Sequence, residues 1–151
     1  MPVNPGPWFI DTNILLRLST GQQAKYPEIR LALNRLQRLN PGIFCAAQNI
    51  AEFWNVSTRP ADKNGFGLTI LEVQEELNQL ETVIAVLPET TDVYLEWKRL
   101  VTAHEVRGVQ VHDARLAANM RVHGVSNLLT LNGAGFRRFP GIVPVKPAEL
   151  P

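Results

Sequence analysis

The sequence predicts an α/β fold, a three-layer α/β/α sandwich around a central, mainly parallel sheet. Short apolar runs typical of strands alternate with amphipathic stretches typical of helices along the whole chain. Such alternation favours right-handed crossovers that place helices on both faces of a parallel sheet. The 151 residues are 45% hydrophobic, which suits one domain with a sizeable core. We therefore expect a single domain over residues 1–151, with its core between residues 8 and 145.

Six apolar runs are candidate strands. Several of them are short and continuous, which is typical of strands that are buried on both faces of a sheet. In chain order, the candidates are Trp8–Ile10, Ile43–Ala46, Thr82–Leu87, Val109–Val111, Asn127–Leu131 and Ile142–Val145.

Five stretches between these runs carry apolar residues at helical spacing. The first of them places Ile29, Leu33 and Leu36 on one face. Gly124 directly follows the last stretch, and glycine is well suited to a left-handed helix cap. The predicted helices are Lys25–Leu39, Gln48–Ser57, Leu68–Leu80, Thr91–His104 and Asp113–His123.

The composition narrows the class of protein. A net charge of +1 is far from the basic excess of a dedicated nucleic-acid binder. No apolar run approaches the roughly 20 residues of a membrane helix, so we expect no membrane partner. Cys45 is the only cysteine and lies in an apolar run, where a buried, inert thiol is expected. A reducing, cytoplasmic setting is therefore the expected location.

Three acidic residues stand out because each is set among apolar residues. Asp11 and Asp113 each follow a predicted strand directly. Glu52 lies about one turn into the predicted helix that follows a third predicted strand. Asn132 follows the fifth predicted strand. Ligands bind at the carboxyl ends of strands in open parallel sheets, so we expect these four side chains at one edge of the sheet.

Clustered carboxylates repel one another. Two unit charges about 4 Å apart interact by about 4 kcal/mol at an effective dielectric of 20. This repulsion raises at least one pKa unless a cation neutralises the group. Oxygen ligands without a histidine cluster or a cysteine pair favour Mg²⁺ or Mn²⁺ over zinc. We therefore predict a site for a divalent cation whose bound waters attack or contact a substrate phosphate.

Each acid also has an ordinary structural interpretation. Asp113 suits a helix N-cap, Asp11 suits an Asx-turn, and Glu52 suits an exposed helix position. Taken singly, each of these interpretations is at least as good as a ligand role. Taken together, they require three coincidences at one edge of the sheet, which favours a shared site.

Four segments, in this order, resemble the PIN domain nucleases and, among them, the VapC-like toxins of prokaryotic type II toxin–antitoxin modules. The segments are Phe9–Leu15, Asn49–Trp54, Val111–Ala118 and Leu128–Phe139. The resemblance implies an α/β/α sandwich and metal-dependent hydrolysis of RNA phosphodiesters. It also implies a small antitoxin protein as inhibitor and, in many members, a homodimer. The expected function is that of an endoribonuclease, the toxin of such a pair.

The resemblance also implies roles for individual residues. The implied metal ligands are Asp11, Glu52 and Asp113. Asn132 completes the catalytic set at a position where the family often has Asp and sometimes Asn. Thr130 and Asn13 correspond to residues that support the site, Asn13 by orienting the first aspartate. Arginines at the rim would hold the RNA backbone, and the candidates are Arg115, Arg137 and Arg138.

The chain departs from the family pattern in its fourth segment. The pattern often ends in Asp-Phe, where this chain has Gly135 and Phe136. Because Asn132 is also uncharged, three carboxylates remain, and we expect one well-bound ion with any second ion recruited by substrate phosphates. The alternative function is a PIN-like scaffold that binds RNA or a partner protein without efficient cleavage.

Three further interpretations follow from the sequence. A phosphatase-like doubly wound hydrolase would use Asp11 as its nucleophile, but Asn13 stands where such an enzyme has a second aspartate. Trp54 and Trp97 lie on helix faces, which is more typical of core or interface residues than of base-stacking platforms. His112, beside Asp113, is more typical of a structural histidine than of a ligand.

Overall fold

Five parallel strands form a single sheet at the centre of the computed structural model, which describes residues 5–39 and 42–151. The strands are β1 (Trp8–Ile10), β2 (Ile43–Ala46), β3 (Ala85–Leu87), β4 (Asn127–Leu129) and β5 (Val143–Val145). Their order across the sheet is β3-β2-β1-β4-β5. The chain therefore winds outward from β1 in one direction, then returns to the other side of β1 and winds outward again. This reversal places a topological switch point between β1 and β4, where ligands bind in such sheets.

The helices form two layers that enclose the sheet. Within the described residues they are α1 (Thr12–Leu18), α2 (Pro27–Leu39), α3 (Ala47–Thr58), α4 (Ile70–Glu81), α5 (Thr91–Ala103) and α6 (Val111–Val122). Apolar residues of α1–α4 share one core with one face of the sheet, and apolar residues of α5 and α6 share a second core with the other face. The predicted three-layer α/β/α sandwich is confirmed.

Strand β1 shows how the sequence generates these two cores. Trp8 and Ile10 belong to the core on the α1–α4 side, while Phe9 belongs to the core on the α5–α6 side. Successive side chains of a strand point to opposite faces, so a strand that is buried on both faces must be apolar throughout. All three residues are almost completely buried.

Local signals fix several helix ends. The Thr69 hydroxyl accepts a hydrogen bond from the Glu72 N–H, and the Glu72 carboxylate accepts one from the Thr69 N–H, which makes a reciprocal capping box at the start of α4. Pro27 opens α2, where its missing N–H costs no helical hydrogen bond. Gly124 has φ = +70° just after α6, which confirms it as a left-handed cap.

The predicted strand Val109–Val111 is wrong. Gly108–Gln110 form a short 3₁₀ turn that begins with a left-handed glycine, and Val111 opens α6. Val109 is 81% exposed, so the run has no sheet or core to bury it. A three-residue apolar run cannot distinguish a strand from the start of a helix by periodicity. Asp113 therefore lies in the first turn of a helix and does not follow a strand.

Other differences concern boundaries. Helix α1 was not predicted, because its seven residues give less than two turns of pattern. Three predicted strands are shorter in the structure, because residues 82–84, 130–131 and 142 lie outside the sheet.

Cys45 is buried as expected, and burial raises the pKa of its thiol to about 12, which leaves it unreactive. No helix of the described residues is long and apolar enough to cross a membrane.

Candidate active site

A cleft of about 400 Å³ lies at the carboxyl end of the sheet, beside the switch point. We call it the carboxylate cleft. Its walls bring together five of the residues predicted from the sequence, although they come from four separate parts of the chain. The lining residues include Asp11, Asn13, Glu52, Asp113, Asn132 and Phe136.

Asp11 is the most buried acid of the carboxylate cleft, with 9% of its surface exposed. Its backbone N–H extends the sheet by donating to the Leu129 carbonyl across a distance of 3.0 Å. Its Oδ1 accepts from the Thr12 N–H at 2.8 Å, which caps α1, and its Oδ2 accepts from the Thr130 hydroxyl at 2.7 Å. The carboxylate is therefore held in one orientation by groups from two neighbouring strand ends.

The Thr130 hydroxyl connects the support residues to Asp11. While it donates to Asp11, it accepts from the Asn13 side-chain amide at 3.4 Å and from the Asn132 N–H at 3.1 Å. Asn13 also accepts from the Leu131 N–H at 3.3 Å. Asn13 therefore reaches the aspartate through Thr130. The one proton and both acceptor sites of the hydroxyl are all used, which fixes its direction.

Glu52 reaches the cleft from the second turn of α3, and both of its oxygens are engaged. The Thr12 hydroxyl donates to Oε2 at 2.7 Å, and the Gln48 amide donates to Oε1 at 2.9 Å. Asn49, whose side chain is fully buried, donates to the Thr12 hydroxyl at 3.0 Å and accepts from the Ala46 N–H at 2.8 Å. A chain of hydrogen bonds thus runs from the end of β2 to the carboxylate of Glu52.

Thr12, Gln48 and Asn49 were not predicted as site residues. A usable signal existed, because Gln48 and Asn49 precede Glu52 by one helical turn and can face the same side of α3. Thr12 follows Asp11 directly. The sequence could not give the contact between Thr12 and Glu52, because these residues are 40 positions apart in the chain.

Asp113 enters the carboxylate cleft from the first turn of α6 and is about half-buried. Gly135 lies against it, since a Cβ placed on Gly135 would be only 2.7 Å from Asp113 Oδ2. That approach is closer than any ordinary carbon contact. The absence of a side chain at Gly135 therefore leaves the Asp113 carboxylate in space that a side chain would otherwise occupy.

Two of the carboxyl groups have raised pKa values. Burial raises the pKa of Asp11, hydrogen bonds from Thr130 and Thr12 oppose that rise, and the charges of Asp113 and Glu52 add to it. Burial and the charge of Glu52 raise the pKa of Asp113, while His112 and Arg138 act in the opposite direction. These mutual effects show that the three acids share one electrostatic environment.

The predicted rim arginines differ in their surroundings. Arg138 donates to the Gln110 side chain at 2.7 Å and lies close enough to lower the pKa of Asp113. Arg115 forms an ion pair with Glu89. Arg137 is exposed and lies outside the lining of the carboxylate cleft. Of the three, Arg138 is the one whose charge acts on the acids.

The donors in this cleft suit a hard divalent cation. Buried carboxylate oxygens with raised pKa values gain from a cation that neutralises them, and an all-oxygen set favours Mg²⁺ or Mn²⁺. Among the residues that the structure describes, no three acidic, histidine or cysteine side chains form a ready-made metal cluster. The chemistry of the donors therefore fits, while Asp11 and Glu52 are still oriented by hydrogen bonds within the protein.

Comparison with known proteins identifies the family. Residues 8–142, which include all three acids and Asn132, match the PIN domain. The chain belongs to the PIN domain family. Members of this family are nucleases, so the acids line the cleft of a nuclease fold. This membership favours a nuclease over the phosphatase-like hydrolase that the position of Asp11 also allowed.

Several solved structures share the fold at low sequence identity. A chain of VapBC-1 from nontypeable Haemophilus influenzae is similar with a TM-score of 0.68 and 18% identity, covering 93% of this chain and 98% of that one. VapC20 from Mycobacterium tuberculosis, a toxin that cleaves the sarcin–ricin loop, has a TM-score of 0.63 and 21% identity, covering 91% and 98%. A chain of VapBC2 from Rickettsia felis, solved with promoter DNA, has a TM-score of 0.63 and 18% identity, covering 92% and 97%. No curated protein matches the chain significantly by sequence.

Proposed function

We propose that this PIN domain protein is a metal-dependent endoribonuclease that hydrolyses RNA phosphodiesters. One observation carries the proposal: carboxylates from three separate elements converge on one cleft, and two of them have raised pKa values. Carboxyl groups with shifted pKa values are typical of functional sites. The proposed catalytic residues are Asp11, Glu52, Asp113 and Asn132.

In this mechanism Asp11, Glu52 and Asp113 would hold Mg²⁺ or Mn²⁺. When bound, the ion would supply Lewis-acid activation of the phosphodiester and of a water nucleophile. Thr130 keeps Asp11 oriented, and Asn49 keeps the Thr12 hydroxyl directed at Glu52. Asn132, at the exposed rim of the carboxylate cleft, contributes a neutral amide that can bind the substrate or water without adding negative charge. Arg138 offers a positive charge beside Asp113 for the RNA backbone.

The direct test is cleavage of end-labelled structured RNA with Mg²⁺, with Mn²⁺ and with EDTA. We expect cleavage with either metal, none with EDTA, and none by the Asp113→Asn variant. Asp92→Asn is the matched control, because Asp92 also lies in the first turn of a helix but is exposed and outside the cleft. Full activity of a folded Asp113→Asn protein contradicts the proposal.

A binding module without efficient cleavage is the second candidate function. It is favoured by Gly135, which leaves the site one acid short, and by the hydrogen bonds that engage both oxygens of Glu52. A folded protein that binds Mg²⁺ and RNA, is free of inhibitor and yet cuts nothing would establish this alternative.

We also propose that the protein is the toxin of a toxin–antitoxin pair and acts in the cytoplasm. The support is its fold, which it shares with chains of VapBC complexes. An antitoxin should be encoded in the neighbouring reading frame, and its product should copurify with this chain and suppress cleavage. A homodimer, implied by the family, is tested by sedimentation of the purified protein alone.

A further inference from the structure

A second groove lies near the carboxylate cleft. It has a volume of about 410 Å³, within the range of small-molecule sites. We call it the aromatic groove. Its apolar lining comes from α5 and the start of α6, and its polar rim comes from the segment before α5 and from α6. The residues that define it are Val93, Tyr94, Trp97 and Val111, with Glu89 and Arg115 at the rim.

A third groove lies between the aromatic groove and the carboxylate cleft and shares lining residues with both. It shares Glu89, His112 and Arg115 with the aromatic groove. At its other end it shares Glu52 and Asn55 with the carboxylate cleft. A single extended ligand can therefore lie with one part at the acids and another part at the aromatic rings.

Trp97 is held so that its ring forms a wall of the groove. Its indole N–H donates to the Val111 carbonyl at 2.9 Å, which ties α5 to the first residue of α6. The Tyr94 ring lies 6.3 Å away, between centroids, with its plane tilted by 31° from that of Trp97. Tyr94 is 54% exposed, and the polar edge of Trp97 is already satisfied. The groove thus offers aromatic surface whose indole N–H is already paired.

The rim carries a matched donor and acceptor. Arg115 pairs with Glu89, so the charges of the two side chains cancel. A phosphate gains little from a neutralised arginine, whereas the edge of a nucleobase presents both donors and acceptors for a guanidinium and a carboxylate side by side. Unpaired bases in RNA complexes are commonly stacked on aromatic side chains and hydrogen-bonded along their edges. The chemistry of this groove matches a base better than it matches the backbone.

We infer that the aromatic groove is a subsite for one unpaired base of the RNA, stacked on Trp97 and recognised at its edge by Glu89 and Arg115. This inference rests on the proposed ribonuclease function. It assigns Arg115 to the base and leaves the backbone to Arg138. It also gives the enzyme a preference for single-stranded or looped RNA, because a paired base cannot leave its stack without cost.

The test combines an abasic scan with variants of Trp97. The probe is a short single-stranded RNA that the wild-type protein cleaves, bound by the Asp113→Asn variant so that it stays intact. Bases are removed one position at a time. We expect one position near the scissile phosphate where removal weakens binding by roughly 5- to 100-fold. When Trp97→Leu is added, the intact RNA should bind as weakly as the abasic RNA, and removal of that base should have no further effect.

Two further variants separate stacking from folding. Trp97→Phe keeps a flat ring and should retain most of the effect of base removal. Trp54→Leu is the matched control, because Trp54 is a partly buried tryptophan that packs with the core on the opposite face of the sheet. It should leave the abasic pattern unchanged. Circular dichroism of each variant reports whether the fold is retained.

The outcomes distinguish this inference from the function on which it rests. RNA cleavage without any position coupled to Trp97 overturns the base subsite alone. A Trp97→Leu protein that changes its sedimentation but not its abasic pattern shows that the groove is an interface between copies of the chain, which also overturns the subsite. Failure of the wild-type protein to cleave any RNA overturns the proposed function and the subsite with it.

Discussion

The hydroxyl of Thr130 makes three hydrogen bonds at the point where β1 and β4 end. It fixes Asp11 and at the same time satisfies Asn13 and the backbone of Asn132. Such supporting groups determine how well a carboxylate can serve as a ligand, because they set its orientation and its basicity. Loss of this hydroxyl should therefore lower both the free energy of unfolding and the rate of cleavage, and the two effects can be measured separately.

Thr130→Val keeps the shape of the side chain and removes all three hydrogen bonds. We expect the free energy of unfolding to fall by about 1–3 kcal/mol, because a partly buried amide and an N–H lose their acceptor and Asp11 loses a donor. Cleavage at limiting Mg²⁺ should fall roughly 10- to 100-fold, the usual cost of losing a support of a ligand. Thermal melts and initial cleavage rates measure the two effects. Thr130→Ser, which keeps the hydroxyl, should recover most of both, and unchanged cleavage in the valine variant would contradict this role.

Gly135 affects the site sterically, because its lack of a side chain leaves room for the Asp113 carboxylate. In Gly135→Ala, the new Cβ would approach Asp113 Oδ2 to 2.7 Å, so the carboxylate must move aside. Displacements of this size in an active site cost up to about 100-fold in rate. We expect reduced cleavage with a melting temperature close to that of the wild-type protein, because the carboxylate is the free end of a flexible side chain. Gly21→Ala is a suitable control, since a Cβ there meets open space.

At the scale of elements, α6 shows both the reach and the limit of sequence patterns. The residues that follow Asp113 were correctly predicted as a helix that ends at Gly124. Its start was misplaced because Val109–Val111 is too short to show a period. Asp113 still reaches the cleft, since the first turn of a helix and the end of a strand occupy the same edge of an α/β sheet. Asp113 thus lies beside the other acids as expected, but in the first turn of a helix and not at the end of a strand.

Helix α4 contributes to stability without contributing to the carboxylate cleft. Its reciprocal capping box joins Thr69 and Glu72. Thr69→Ala should lower the free energy of unfolding by about 1 kcal/mol, which corresponds to a melting temperature lower by roughly 2–4 °C. Cleavage at a temperature where both proteins are folded should be unchanged. A variant that melts like the wild-type protein would show that the cap is replaced by water at no cost.

Ionisation of the carboxylates affects the stability of the whole molecule. A raised pKa means that the folded state disfavours the charged form of Asp113 relative to the unfolded chain. The resulting contribution to stability is therefore favourable below the unfolded pKa of 3.8 and is lost as the pH rises through the folded value.

At pH 7 in EDTA, Asp113→Asn should melt at a higher temperature than the wild-type protein, because it removes a disfavoured charge. The difference should shrink as the pH falls and vanish below 3.8, where the aspartate is protonated in both states. Added Mg²⁺ should raise the melting temperature of the wild-type protein more than that of the variant, since an ion that binds the folded state stabilises it by mass action. Scanning calorimetry at several pH values measures this, and a variant that is less stable at pH 7 without metal would contradict it.

The sequence predicts the layers, the helices and the residues that line the cleft because these follow from periodicity and from the rule that ligands bind at strand ends. It does not predict the network around them. The contact of Thr12 with Glu52 joins residues 40 positions apart, and that of Thr130 with Asp11 joins residues 119 apart. Such pairings depend on strand register, which places Ile10 opposite Leu129 and so aligns the residues that follow. Register is a property of the assembled sheet that no single segment encodes.

Pro144 lies in β5, at one edge of the sheet, in register with Leu128 of β4. An extended chain laid along the outer side of β5 would meet a residue that has no N–H to donate. Proline at sheet edges is one of the means by which proteins avoid pairing with stray strands. An all-parallel sheet is slow to assemble and exposes its edges while it does so. On that side, therefore, Pro144 should oppose the pairing of β5 with strands of other molecules while the sheet assembles.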